Sequence, residues 1–232
     1  MEAFTRAAYR VVRCDMRGFG DSELLPGPFS NLDDLEALLG ELELDRIALV
    51  GASYGGRIAL ELTLTHPERV WALVLVGSGL RDIDWSEDVT RGFEEEEAVI
   101  ERGDLEAAVE LNLRMWVDGP TRTAADVDPE VRVRVAEMQR RAIEVQLAVA
   151  DAGPGEEFDP PASTRLGEVA CPTLVLVGEL DQPDILRVAD QIADGIPDAR
   201  KATIPQTAHV PNMERPDEFN ELVLGFLSAA RS

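Results

Sequence analysis

"VGASYGGRIAL", residues 50 to 60, closes an apolar run and opens a helix-like one, with Ser53 set between Gly51 and Gly55. A serine in an ordinary loop needs no glycines around it. A serine on a sharp strand-to-helix turn does, because the two limbs of such a turn nearly touch. Gly51, Ala52, Ser53, Tyr54 and Gly55 spell G-x-S-x-G, a pattern that arises by chance in roughly one chain of this length in ten at average glycine and serine usage. Its place between a predicted strand and a predicted helix lifts it above chance. In that setting the turn holds the serine in a strained backbone conformation with its hydroxyl raised above the sheet edge, and Gly51 and Gly55 are expected to avoid clashes.

Outward from the turn, short runs rich in Val, Leu and Ile recur at 9–15 (YRVVRCD), 46–51 (RIALVG), 70–77 (VWALVLVG), 172–178 (PTLVLVG) and 200–205 (RKATIP). Such runs suit strands covered on both faces, so all five are expected as parallel strands. Helical patterns lie between them: SNLDDLEALLGEL with Ser30 as N-cap, GGRIALELTLTHPERV, DILRVADQIADGI and RPDEFNELVLGFLSAA. The alternation predicts an α/β fold, a mostly parallel sheet flanked by helices. Beyond residue 80 the rhythm breaks into a charged, helix-like stretch with Gly119-Pro120, which ends in the turn-rich linker DAGPGEEFDPPAS. It reads as a helical insertion between two strands.

Composition narrows the classes. A chain of 232 residues, 45% apolar and without an apolar run of membrane length, reads as a soluble globular protein with one sizeable core. The start, MEAFTRAAYR, has neither an apolar signal core nor a cleavage site, so the expected location is the cytoplasm. A formal charge of −23 repels phosphate backbones and anionic lipid, so neither nucleic acid nor membrane is expected as a partner. The run Glu94 to Glu97 would splay around a helix and reads as a solvated face rather than a metal site. Cys14 and Cys171 are too few for a disulfide framework, lack zinc-ligand spacing and adjoin apolar runs, so both are expected as buried free thiols.

A serine hydroxyl is a weak nucleophile until a base takes its proton. The chain has two histidines. His66 ends the helix that Ser53 starts, which puts it roughly 17 Å away at 1.5 Å per residue and out of reach. His209, in TIPQTAHVPNMERPDEF, follows the last predicted strand at the carboxyl end of the sheet, where open α/β folds place their sites. The imidazole in turn needs a carboxylate to hold its tautomer. In TLVLVGELDQPD, Asp181 stands three residues past Gly178; Asp184 follows a proline and is expected to cap the next helix, with Glu179 a more distant alternative. The chain order is then Ser, Asp, His.

On these residues the sequence resembles the α/β-hydrolase family over essentially its whole length, through DMRGFGDS (15–22), VGASYGG (50–56), HPERVWALVLVGSG (66–79), PTLVLVGELDQPD (172–184) and AHVPNMERPDEF (208–219). Within the family it is similar to small bacterial esterases and 3-oxoadipate enol-lactonases. The resemblance implies a helical cap at residues 81–166 over a core of 1–80 and 167–232. It also implies Ser53, Asp181 and His209 as a triad, and Asp15 and Arg17 as turn and loop anchors. Family members begin with two or three further strands and a His-Gly type loop that supplies half of the oxyanion hole. Met1 is therefore expected to be an internal methionine of a longer protein. The backbone N–H of Tyr54 is expected as one oxyanion donor, and no second donor is found in this sequence. Without the intervening strand, 9–15 must pair directly with 46–51, or two edges stay open.

The favoured reading is a cofactor-independent serine hydrolase of a small ester or lactone, with no metal. Carbon-carbon bond hydrolysis with the same triad is a close variant, and a truncated, non-catalytic protein of the same fold is the alternative from another class. Trp85, Met115 and Trp116 are candidates for an apolar acyl pocket as much as for core of the insertion. A homodimer is left open.

Overall fold

The computed structural model describes residues 1–149, 152–154 and 158–231. In chain order its main elements are α1 (Glu2–Arg6), β1 (Gly27–Phe29), α2 (Asn31–Glu41), β2 (Ile47–Ala52), α3 (Tyr54–Thr65) and β3 (Val70–Val76). Then come α4 (Glu87–Glu101), α5 (Leu105–Asn112), a π-helical turn (Leu113–Asp118), α6 (Pro129–Leu147) and β4 (Ala152–Pro154). The chain closes with β5 (Thr173–Gly178), α7 (Pro183–Gly195), β6 (Ala199–Ile204), α8 (Pro211–Glu214) and α9 (Pro216–Ala230).

Four strands form a parallel sheet in the order β2-β3-β5-β6. Its side chains alternate between two cores, as the period of two along a strand requires. From β3 and β5, Leu73, Leu75, Val175 and Val177 face one cluster, which α3 joins through Ala59, Leu60 and Leu64. Helix α7 presents Ile185, Val188, Ala189 and Ile192 to the same cluster, at the i, i+3, i+4, i+7 spacing of one helical face. On the other side Ala72, Val74, Val76, Leu174 and Leu176 meet Val223 and Leu227 of α9, with Phe4 of α1 at the margin. Leu75 and Leu176 are fully buried, and truncating either to alanine should cost about 2–5 kcal/mol. The structure thus bears out the α/β architecture of an open parallel sheet with helices on both faces.

Between β3 and β5 the helical stretch builds a third cluster of its own from Val99, Ala108, Val109, Leu113, Val117, Val127 and Ile143. Most of the acidic run is solvated there: Glu94, Glu95 and Glu97 are exposed on α4. Glu96 is half-buried, and burial pushes its carboxyl up. Ser30 caps α2, accepting from Asp33 N at 3.1 Å. Arg17 is an anchor, paired with Asp34 at 2.5 and 2.6 Å, and Asp15 accepts from Asp21 N and Ser22 Oγ. No helix among the described residues is long and apolar enough to cross a membrane.

Three expectations are corrected. Residues 9–15 form no strand; apolar content permits a strand, but a ladder needs a neighbour, and among the described residues β2 pairs only with β3 and is an edge. Val50 on that edge is 47% exposed. Outside the sheet, Cys14 is exposed, whereas Cys171 is buried and its burial pushes the thiol up. Finally, part of DAGPGEEFDPPAS is a strand, since Ala152–Pro154 pairs in parallel with Gly27–Phe29; residues 151 and 155–157 of that segment lie outside the described residues.

Candidate active site

Ser53 stands between β2 and α3 with φ +49° and ψ −117°, a conformation that side chains disfavour. Backbone bonds hold it there. Its N–H donates to Val76 O at 2.9 Å, and its carbonyl accepts from Gly56 N at 3.0 Å and Arg57 N at 3.2 Å. A methyl added to Gly51 would lie 2.7 Å from Gly55 C and from Gly56 Cα, so the close approach of the two limbs is real. The second glycine the turn needs is not the expected one. A methyl on Gly55 would meet nothing within 4 Å, whereas one on Gly56 would lie 2.6 Å from Ser78 Oγ and 3.1 Å from Gly51 O. Tyr54 occupies the first position of α3, where helix geometry leaves N–H groups without an intrahelical acceptor. Its hydroxyl accepts from Asn31 Nδ2 at 2.6 Å, and its ring lies under the Arg57 guanidinium, 4.5 Å away.

Asp181 and His209 meet. The imidazole Nδ1 lies 2.9 Å from Asp181 Oδ2 and 3.1 Å from Oδ1, with the side chains 9% (His209) and 1% (Asp181) exposed. Asp181 Oδ1 also accepts from Gln182 N at 2.7 Å. An acceptor on Nδ1 fixes the proton there and leaves Nε2 free to accept. A methyl on Gly77 would come within 3.2 Å of the His209 ring and 3.3 Å of Asp181 Oδ2, so the loop after β3 passes directly beside the pair. The end of β3 and this loop both bind the elbow, since Ser53 N reaches Val76 O and Gly79 N reaches Ser53 O at 3.4 Å. No hydrogen bond of the Ser53 side chain is present among the described residues. Resting enzymes often leave this bond long until substrate arrives.

The alternatives separate by position. His66 ends α3, at the opposite end from Ser53, and pairs with Glu36 at 2.7 Å. Asp184 is not the expected cap: Gln182 holds that position, and Asp184 is buried in the first turn of α7. It accepts from Ser86 Oγ at 2.7 Å, Ser86 N at 3.3 Å and Arg187 Nη2 at 2.8 Å. Burial works to raise its carboxyl, but these donors outweigh burial and hold it below the ordinary range. Glu179 accepts from Gln206 N at 2.9 Å, away from the imidazole.

An aromatic cluster lies over the imidazole. The Trp116 ring lies 4.6 Å from the His209 ring, tilted by 43°, and meets Trp85 at 6.2 Å and Phe93 at 6.1 Å. Phe93, absent from the sequence reading, touches Trp85 edge-on at 5.4 Å. Met115 packs against Gly92. On the Tyr54 side a cavity of about 370 Å³ is lined by Asn31, Tyr54, Arg57, Glu61, Arg81 and Phe158, among others. Burial pushes the Glu61 carboxyl up there against the pull of Arg57 and Arg81.

The model of the alpha/beta hydrolase family matches residues 1–222. A 2-hydroxy-6-oxononadienedioate/2-hydroxy-6-oxononatrienedioate hydrolase of Paraburkholderia phymatum is 29% identical over 233 residues, covering 98% of this chain and 79% of its own. Among solved structures, a hydrolase from Pseudomonas aeruginosa PA01 has a TM-score of 0.75 at 30% identity, over 97% of this chain and 82% of its own. A thermophilic esterase from Thermogutta terrifontis has a TM-score of 0.73 at 26% identity, over 94% and 79%.

Proposed function

The chain belongs to the alpha/beta hydrolase family, and from that premise we propose that it is a serine hydrolase cleaving a small carboxylic ester or lactone through an acyl-enzyme. His209 Nε2 takes the proton of Ser53 Oγ, and the oxygen attacks the substrate carbonyl. The N–H of Tyr54, at a helix N-terminus, donates to the oxyanion. The tetrahedral intermediate collapses, the leaving oxygen takes the proton from His209, and an ester to Ser53 remains. Water, deprotonated by His209, then attacks that ester and releases the acid and Ser53. Asp181 holds the imidazole in its tautomer.

The observation that carries this reading is the Asp181–His209 contact at 2.9 Å, buried beside the loop that also binds the strained elbow. Residues 81–166 act as a cap, with Trp85, Met115 and Trp116 bounding the acyl side. No cofactor takes part, and the protein works in the cytoplasm. The name of the P. phymatum relative favours a second reading, hydrolysis of a carbon-carbon bond by the same triad. A fluorophosphonate probe tests the shared core of both. Wild-type protein should be labelled at Ser53, and Ser53→Ala and His209→Ala should not; a wild-type protein that stays unlabelled overturns the proposal. Parallel assays on a p-nitrophenyl ester and a vinylogous 1,5-diketone then separate the two bond types.

A further inference from the structure

A helix leaves its last carbonyls without intrahelical partners. Helix α5 runs on into the π-helical turn Leu113–Asp118 and stops at Gly119, whose φ is +74°. Four successive carbonyls at this end find donors. Met115 O accepts from Gln182 Nε2 at 2.6 Å, and Trp116 O from the backbone N–H of His209 at 3.1 Å. Val117 O accepts from Arg122 Nη2 at 2.6 Å, and Asp118 O from Arg122 Nε at 2.9 Å. The first two donors are His209 itself and the neighbour of Asp181. The other two belong to one guanidinium, whose Nη1 also donates to Gln206 O at 2.9 Å and Glu214 Oε2 at 2.6 Å. The second oxygen of Glu214 accepts from the N–H of Ala208, the residue just before His209, at 2.7 Å. The Arg122 and Glu214 side chains are only 10% and 8% exposed.

We propose that Arg122 and Glu214 are positioning residues for His209: together they clamp the loop that carries the imidazole onto the π-helical end of the cap. This rests on the reading of His209 as the catalytic base. A buried ion pair adds little net stability, because desolvation offsets its attraction. Its effect here is geometric. The planar fork of arginine reaches four acceptors in fixed directions, which the point charge of a lysine cannot do. A misplacement of about 1 Å at a reacting group can cost about 10²-fold in rate.

The test measures kcat and KM on p-nitrophenyl acetate for Arg122→Lys, Arg122→Ala, Glu214→Gln and the Arg122→Ala/Glu214→Gln double variant. We expect kcat to fall roughly 10- to 100-fold with KM within about twofold, and the double variant to be no worse than the poorer single one, since the two act as a unit. Arg122 and Glu214 line a cavity of about 540 Å³, so millimolar methylguanidine should restore part of the Arg122→Ala rate. A readout independent of turnover is the His209 Cε1 proton resonance, resolvable in a chain with two histidines and displaced by the Trp116 ring. It should move in the variants while that of His66 stays. Folded variants with wild-type kcat and an unmoved His209 resonance would overturn the proposal, as would losses confined to KM or to Tm. Should Arg122→Ala not fold, Arg122→Lys and Glu214→Gln carry the same readouts. A wild-type protein that takes no fluorophosphonate sinks the parent reading instead, and the resonance then still decides whether Arg122 places the ring.

Discussion

Asp181 follows β5, a strand with a neighbour on each side, and His209 is bonded to the helical insertion above it, whereas Ser53 ends β2, an edge strand with Val50 47% exposed. The two sides of the site are built by different means. Around Ser53 the backbone does the positioning: a strained φ, close-packed glycines and hydrogen bonds to the end of β3 and the loop after it. Around Asp181 and His209 a network of side chains does it, running through Gln182, Arg122 and Glu214. The first kind of construction fails when a methyl is added, the second when a partner is removed.

The largest expected effects fall where both sides meet. Ser53→Ala and His209→Ala should each lower kcat/KM on p-nitrophenyl esters by roughly 10⁴-fold or more, because a triad acts as a unit. Asp181→Asn should cost a comparable factor. Greater damage from Asp184→Asn than from Asp181→Asn would break the assignment of the acid.

Next comes the backbone side alone. Gly56→Ala, which pushes a methyl against Ser78 and the Gly51 carbonyl, should reduce turnover by about 10² or more by displacing the proposed oxyanion donor, Tyr54 N–H. Gly55→Ala should remain near wild type. Equal losses in the two variants would mean that the space beside Gly55 is filled in the working enzyme. A smaller effect is expected at the roof of the site. Trp116→Ala should shift the preference between short and long p-nitrophenyl esters by about tenfold, a change worth about 1.4 kcal/mol. A lowered Tm with unchanged chain-length preference would make Trp116 core only.

The smallest effect tests the tie between α4 and α7. The Asp184 carboxyl is held below its ordinary value of 3.8, so its contribution to stability is present above about pH 4 and lost as pH falls through the folded-state value. Asp184→Asn should lower Tm at pH 7 by a few degrees, and the gap from wild type should close below pH 4. A gap constant with pH would assign the loss to packing rather than charge.

Much of this was legible in the chain. The β3 and β5 runs, apolar along their length, called for burial on both faces, and the elbow sequence called for a turn that only glycines permit. His209 followed by elimination, because the only other histidine lies at the far end of the same helix as Ser53. What escaped the reading has a common physical cause. YRVVRCD has the composition of a strand, but composition carries no information about whether a neighbour exists. Gly55 and Gly56 are indistinguishable as letters, and only the path of the chain decides which one is crowded. Arg122 meets Glu214 across 92 residues and Gln182 meets Met115 across 67, and the letters alone do not announce such pairings.

The π-helical end at Leu113–Asp118 also bears on how such a protein could be re-engineered. Insertions of this kind invite exchange between relatives, since they interrupt the core at one place. Here the backbone of His209 borrows a carbonyl from that insertion, so a transplant cut at the ends of 81–166 would carry away part of the scaffold that holds His209. A chimaera that keeps residues 113–122 from the recipient and exchanges only what precedes and follows them should retain its chemistry while changing its appetite.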